Sequence, residues 1–258
     1  MNPDTSVISR RRALSVLAGG AGAFLAACSN SNSSTTGSST AGSSTTASSS
    51  SADCPTVVPE ETAGPYPGDG SNGPDILSDP AVVRRDITTS FGSYTGTATG
   101  VPTTIELTLL DASTCAPMQG AAVYLWHADK DGHYSMYTAP EANYLRGVGE
   151  ADANGVVAFD SIWPGCYDGR WPHVHFEVYP SVADALAAQN RITTSQIALP
   201  EADCQAVYTA DGYETSATNL THTSLSTDIV FRDGWDQELG TAAGSNDDGW
   251  TVALTISV

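Results

Sequence analysis

Apolar and polar side chains alternate along Thr104-Ile105-Glu106-Leu107-Thr108-Leu109 and again along Thr251-Val252-Ala253-Leu254-Thr255-Ile256-Ser257-Val258. A period of two sends every second residue to the same face, so both runs predict half-buried strands. Runs rich in β-branched and aromatic residues predict five more, over residues 121–127, 156–162, 173–179, 193–199 and 228–232. Between them lie turn-forming stretches such as Asp152-Ala153-Asn154-Gly155 and Pro164-Gly165. Only residues 181–189 have a helical pattern, with Val182, Ala185 and Leu186 at i, i+3 and i+4. Seven or so short strands, long irregular connections and one short helix predict an all-β chain folded as a β-sandwich.

The pattern stops short of the N-terminus. Arg10, Arg11 and Arg12 precede a charge-free stretch that ends Leu25-Ala26-Ala27-Cys28. Its fifteen residues fall below the roughly 20 that a membrane-spanning helix needs, so residues 1–27 read as a signal peptide of the twin-arginine type. Leu-Ala-Ala-Cys fits a lipobox, which would make Cys28 a lipidation site and the protein an exported lipoprotein of the cell envelope. From residue 29 to 51, 17 of 23 residues are Ser or Thr and none is charged. Nothing there offsets the entropy of ordering, so residues 28–53 read as a flexible tether. The folding domain is residues 54–258.

Composition narrows the partners. The chain carries 10 Lys plus Arg against 29 Asp plus Glu, a formal charge of −19. Loss of residues 1–27 removes three arginines and Asp4 and leaves seven cations against 28 acids. Such a surface repels phosphate backbones and anionic lipid head groups, which excludes nucleic acid and leaves a lipid anchor as the only membrane contact. Four cysteines follow Cys28: Cys54, Cys115, Cys166 and Cys204. An even count in an exported chain predicts two disulfides, with three pairings open. No C-x-x-C is present, so the cysteines do not suggest a metal site.

Candidate chemistry concentrates between Trp126 and His175. In the run 173–179, Val174, Phe176 and Val178 take one face while His173, His175 and Glu177 take the other. Two imidazoles on one strand face, about 7 Å apart at Cα, can reach one ion. Pro164-Gly165-Cys166-Tyr167, then Arg170-Trp171-Pro172-His173-Val174-His175, and upstream Trp126-His127-Ala128-Asp129 with Gly132-His133-Tyr134, surround that pair with phenols and one arginine.

Those motifs resemble the intradiol ring-cleavage dioxygenases, the family of protocatechuate and catechol dioxygenases, and especially their exported single-chain members. The likeness runs from about residue 60 to 196. It implies that Tyr134, Tyr167, His173 and His175 hold a non-haem Fe(III), with Tyr167 and His175 as the axial pair. It also implies that Arg170 stabilises charge developing on the substrate ring and that Gln196 faces the substrate. Glu61-Thr62-Ala63-Gly64-Pro65-Tyr66 resembles the family's pocket-mouth motif, which makes Tyr66 a candidate substrate contact, and Arg84-Arg85-Asp86-Ile87 resembles another family segment. Thr194-Ser195-Gln196-Ile197 carries an inserted Ser relative to the family's Thr-Gln-Leu. The implied reaction opens a catechol ring with O2 to a cis,cis-muconic acid derivative. The donor set suits it: phenolate is a hard anionic ligand, and two phenolates with two neutral imidazoles hold iron as Fe(III).

Other residues have plainer readings. Trp126, Trp163 and Trp171 either line an aromatic substrate pocket or pack; Trp126 is the substrate-binding candidate. His127 and His133 fall near the site but outside the implied ligand set, as pocket or surface residues, and His222 reads as solvent-exposed. Asp129, Asp131 and Asp152 lack the acidic spacing of a calcium loop and read as turn caps. Two rival functions share the scaffold: a zinc or copper site built on His173, His175 and a third histidine, and a tethered β-sandwich binding module without turnover.

Overall fold

The computed structural model describes residues 54–258; the expected signal, Cys28 and tether lie outside the described residues. Two four-stranded sheets carry the domain. The first has the order β4-β1-β8-β7 and the second β3-β2-β5-β6. The strands are β1 (Pro102–Leu110), β2 (Ala122–Trp126), β3 (Arg146–Glu150), β4 (Val156–Ile162), β5 (His173–Tyr179), β6 (Thr193–Ala198), β7 (Thr241–Ser245) and β8 (Gly249–Ser257). All pairings are antiparallel except β1 with β8, which lie parallel with Leu107 opposite Leu254. The chain is thus the all-β sandwich its pattern predicts.

The two sheets differ in what covers them. β1 alternates, with Ile105, Leu107 and Leu109 buried and the residues between them partly exposed. Its inward side chains meet Val123 and Leu125 of β2, Val174, Phe176 and Val178 of β5, and Ile197 of β6 in one core between the sheets. β2 and β5 are buried at every position. Their outward residues Ala122, Tyr124, Trp126 and Tyr179 form a second apolar cluster with Ile76, Leu77, Tyr134 and Val148. Loops therefore roof the outer face of the second sheet, and β5 turns its two histidines toward that roof.

Several expectations are corrected. Residues 228–232 form no strand: Asp228 Oδ1 accepts from the amides of Val230 at 2.8 Å and Phe231 at 3.3 Å, which winds the chain into a 3-10 turn over Phe231–Asp233. β3 escapes the pattern because two of its five residues are glycine. Both are needed there, since a Cβ on Gly147 would sit 2.5 Å from Ile87 and one on Gly149 2.6 Å from Val157. β7 is a small-residue edge strand with little apolar signal. The predicted helix is α1 (Val182–Leu186), capped by the Ser181 hydroxyl, and it is not alone: α2 (Glu201–Val207) and α3 (Glu214–Leu220) follow. Three short helices replace the expected one. The turn-cap reading holds for Asp152, which accepts from the amides of Asn154 and Val156, and for Asp129, whereas Asp131 pairs with Lys130 instead.

The cysteines also depart from expectation. Cys54 and Cys115, 61 positions apart in sequence, form a disulfide with Cα atoms 5.4 Å apart, while Cys166 and Cys204 are free and buried. One disulfide among the described residues thus stands where two were predicted. Alkylation of the denatured, unreduced protein should label Cys166 and Cys204 and spare Cys54 and Cys115, read by peptide mass mapping. Reduction of that disulfide should lower unfolding stability by about 2–4 kcal/mol in denaturant titration, the range expected for a loop of this order.

Candidate active site

Two tyrosine loops meet through glycine. Asp129 opens the first: its Oδ1 accepts from the amides of Asp131 at 3.0 Å and His133 at 2.9 Å, and its carbonyl accepts from Gly132 at 3.0 Å. Gly132 adopts φ +84°, and a Cβ there would lie 2.8 Å from the Tyr167 Cβ. Gly165 of the second loop donates to the Asp129 carbonyl at 3.0 Å, and a Cβ on it would stand 2.4 Å from the Lys130 carbonyl oxygen. The Gly-x-Tyr and Pro-Gly-x-Tyr motifs are therefore two halves of one backbone contact. It brings the hydroxyls of Tyr134 and Tyr167 to 3.4 Å.

β5 delivers the nitrogens. His173 donates from Nδ1 to the Trp171 carbonyl at 2.6 Å, which leaves its Nε2 as a lone pair. That lone pair faces the Tyr134 hydroxyl at 3.2 Å, the Tyr167 hydroxyl at 3.3 Å, His175 Nε2 at 3.1 Å and Arg170 Nη1 at 3.4 Å. The His175 ring stacks on Trp126, its cross-strand neighbour on β2, at 4.8 Å and 5° between planes. Burial pushes the histidines down, His173 to about 3 and His175 well below its usual range, so both imidazoles are neutral and ligand-ready. Burial, with Tyr167 adding to it, raises Tyr134 well above the ordinary phenol range.

Arg170 borders this cluster. Its Nε donates to Asp228 at 2.9 Å and its Nη2 to Gln196 Oε1 at 2.7 Å. Gln196 sits opposite His175 in the β5–β6 register and donates from Nε2 to the Thr62 carbonyl at 2.9 Å. The inserted Ser195 points to the other side of β6, where its hydroxyl donates to Glu238. Tyr66 is partly buried, with its ring 4.9 Å from Tyr134 and 5.1 Å from Tyr137. Beneath lies Arg146, fully buried, donating to the Pro67 carbonyl, the Tyr124 hydroxyl and both oxygens of Ser135.

Residues 72–195 match the family model described as Dioxygenase. The matched span holds both tyrosine loops and the two histidines. The chain resembles the intradiol ring-cleavage dioxygenases in fold. An intradiol ring-cleavage dioxygenase from Tetranychus urticae shares the fold, with 24% identity, 78% of this chain and 94% of that chain covered, and a TM-score of 0.61. The dioxygenase domain of a dioxygenase carbohydrate-binding protein fusion from the cellulolytic bacterium Streptomyces sp. SirexAA-E aligns at 21% identity over 79% of this chain and 98% of that one, with a TM-score of 0.51. No curated protein matches by sequence.

The donor set fits a metal ion. One lone pair on His173 Nε2 cannot accept from four polar neighbours at once, whereas four donors arranged about a shared cation, each about 2.0–2.1 Å from it, stand roughly 3.3 Å from one another. Phenol oxygens are required in that set, because among the described residues no group of three or more His, Cys, Asp or Glu could hold a metal ion. The rival zinc or copper site lacks its third histidine. His127 is buried with Nε2 at 2.7 Å from Ser161 Oγ, not at a pocket or surface; His133 lies near Asp129 with its side chain 58% exposed; His222 is exposed.

The three tryptophans pack. Trp126 and Trp163 are fully buried, and Trp171 donates to the Leu199 carbonyl. Trp126 thus supports the His175 ring from beneath, a different place from the substrate contact expected of it. Sequence reasoning missed Asp228, 58 positions beyond its arginine, and Arg146, whose short Arg-Gly-Val-Gly strand carries no motif signal.

Glu238 adds a titratable group with a readable consequence. It is fully buried, Oε1 accepts from Ser195 at 3.1 Å, and Oε2 has no partner. Burial, with Glu61 and other acids nearby, pushes its carboxyl up to about 8. The folded protein then keeps a proton that the unfolded chain loses near pH 4.5. Stability from this group is complete below that pH and declines by up to ~1.4 kcal/mol per pH unit as pH rises toward 8. Thermal melts between pH 5 and 8 should show this slope, and Glu238→Gln should flatten it.

Proposed function

We propose that this chain is a non-haem Fe(III)-dependent intradiol dioxygenase that opens a catechol-type ring with O2 to give a cis,cis-muconic acid derivative. The carrying observation is the convergence of two phenol oxygens and two imidazole nitrogens, with neighbouring donors at 3.1–3.4 Å. Tyr134, Tyr167, His173 and His175 would hold the iron. A ferric ion in that set supplies Lewis acidity to the two catechol oxygens and makes the ring electron-rich toward O2. The bond broken joins the two hydroxyl-bearing carbons, and both atoms of O2 end in the product.

The chain's own residues prepare the site. The Trp171 carbonyl fixes the His173 tautomer, and the Trp126 ring fixes the plane of His175. Arg170 is held by Asp228 and Gln196 with Nη1 3.4 Å from His173 Nε2. A guanidinium fixed in advance beside the bound ring stabilises negative charge that develops during reaction, without reorganising to do so. Gln196 positions that guanidinium and ties it to the Thr62 carbonyl. Tyr66, its ring tilted against Tyr134, forms a wall of the substrate space.

The purified protein should contain iron and be red to brown from tyrosinate-to-Fe(III) charge transfer. Tyr167→Phe should weaken that absorption and reduce turnover by at least 10²-fold. Oxygen uptake should match catechol consumption one for one, with a muconic product. A colourless, iron-free protein whose spectrum is the same in Tyr167→Phe would sink this reading.

We also propose that residues 1–27 direct export through the twin-arginine route, that Cys28 is lipidated, and that residues 28–53 tether the domain to the cell envelope. That route carries folded proteins, which suits a domain loaded with metal beforehand. Cys28→Ala should move the protein from the membrane to the soluble fraction, while replacement with a signal for unfolded export should lower its iron content.

A further inference from the structure

We infer that this site selects catechols carrying no carboxylate, on the ring or on a ring substituent. The inference rests on the dioxygenase reading and extends it to substrate class. A catechol carboxylate brought beside the buried histidines loses water and needs a cation or a set of N–H donors in return. The folding domain has seven cations, all among the described residues, and six of them are held in ion pairs or hydrogen bonds.

Four lie in ion pairs or hydrogen-bond sets away from the donor cluster. Arg84 donates to the carbonyls of Thr89, Asn143 and Arg146. Arg85 pairs with Asp160, Lys130 with Asp131, and Arg191 with Glu177. Arg146 is close beneath the tyrosines but spends four hydrogen bonds on Pro67, Tyr124 and Ser135, and no atom of it reaches the surface to any useful extent at 1% exposure. Arg232 is exposed, on a 3-10 turn that also carries Asp233 and follows Asp228.

Arg170 alone touches the site. Its charge is matched by Asp228, a fully buried carboxylate at 2.9 Å, and a second N–H is given to Gln196. Glu61 then tips the balance. It is half-buried, its amide donates to the Thr194 carbonyl at 2.7 Å, and it directly precedes Thr62, whose carbonyl holds Gln196. Burial pushes the Glu61 carboxyl up, with Asp233 adding to the rise and Arg170 opposing it. Around Gln196, then, the one cation Arg170 is paired with Asp228, and Glu61 adjoins the Thr62 carbonyl that Gln196 binds, with Asp233 a further acid five positions beyond Asp228. A carboxylate on the substrate would meet repulsion from these acids, and the one guanidinium at the site already has its charge matched by Asp228.

The test uses the iron-loaded enzyme and three probes: 4-methylcatechol, 3,4-dihydroxybenzoate, and the methyl ester of that acid as its uncharged counterpart. Anaerobic calorimetry gives Kd without turnover, and oxygen uptake gives kcat/KM. The ester and the methylcatechol should bind and turn over at least about tenfold better than the free acid. Glu61→Gln should narrow the gap between ester and acid several-fold, as should raising ionic strength; Asp233→Asn gives a second variant should the first fail to fold. Binding of the free acid within twofold of its ester, or tighter, overturns the inference, as does a gap that none of these changes moves. If the uncharged probes bind in the expected order but none consumes oxygen, the dioxygenase reading falls while the selectivity stands. If none binds, both fall.

Discussion

The site depends on a backbone contact between two loops that are distant in sequence. Gly165 lies so close to the Asp129–Lys130 peptide that no side chain can stand on it, and Gly132 lies as close to the Cβ of Tyr167. Each glycine sits two residues before its tyrosine, so the contact that removes the Cβ is the contact that fixes where each phenol points. The result is a pair of hydroxyls 3.4 Å apart, delivered by loops rather than by the sheet. Loops ordinarily hold functional groups less accurately than strands do. Here the two loops brace one another, and Asp129 ties off the first with two amide bonds and a third from the Tyr144 hydroxyl.

The nitrogens come from a stiffer source, and the difference explains how the second sheet is built. β5 is central, flanked by β2 and β6, so its alternation puts His173 and His175 on one face with little freedom. What remains free is the rotation of each ring, and neighbours remove it: a carbonyl for His173, an indole plane for His175. Arg146 performs the same service one layer down. Its guanidinium joins β3 to Ser135, next to Tyr134, and to Pro67, next to Tyr66, using only neutral acceptors. A buried cation so arranged is a poor stabiliser; its value is that three chain segments acquire one geometry.

The parts legible in the sequence are those whose cause is local. Strand alternation, the His-x-His face and the turn chemistry at Asp129 and Asp152 each follow from a few adjacent residues, and the structure reproduces them. The failures have one physical origin. β3 reads as a loop because its glycines answer to Ile87 and Val157, which are neighbours only after folding. Asp228 reads as part of a strand because the bonds that curl it into a turn also serve Arg170 and Trp171, 58 and 57 residues away. Trp126 reads equally well as pocket wall or as packing, since only the register of β2 against β5 sets it under His175. Two cysteine pairs read alike, and burial of Cys166 and Cys204 as separate thiols is a tertiary outcome.

Asp228 also shows why so acidic a chain can keep a cation at its centre. A guanidinium beside two neutral imidazoles would be unstable if left alone, and a flexible surface acid would leave it free to swing away. A carboxylate that is fully buried, bonded to the amides of Trp171, Val230 and Phe231 as well as to Arg170, can do neither. Those bonds keep the carboxyl below its usual range against the pull of burial, so the pair stays ionised. The segment after α3 is thereby joined to the strand that carries the histidines, although no strand pairing links Asp228 to β5. Its charge is matched by the one arginine it holds, and most of the remaining acids stay outside as a solvated surface that keeps the domain dispersed.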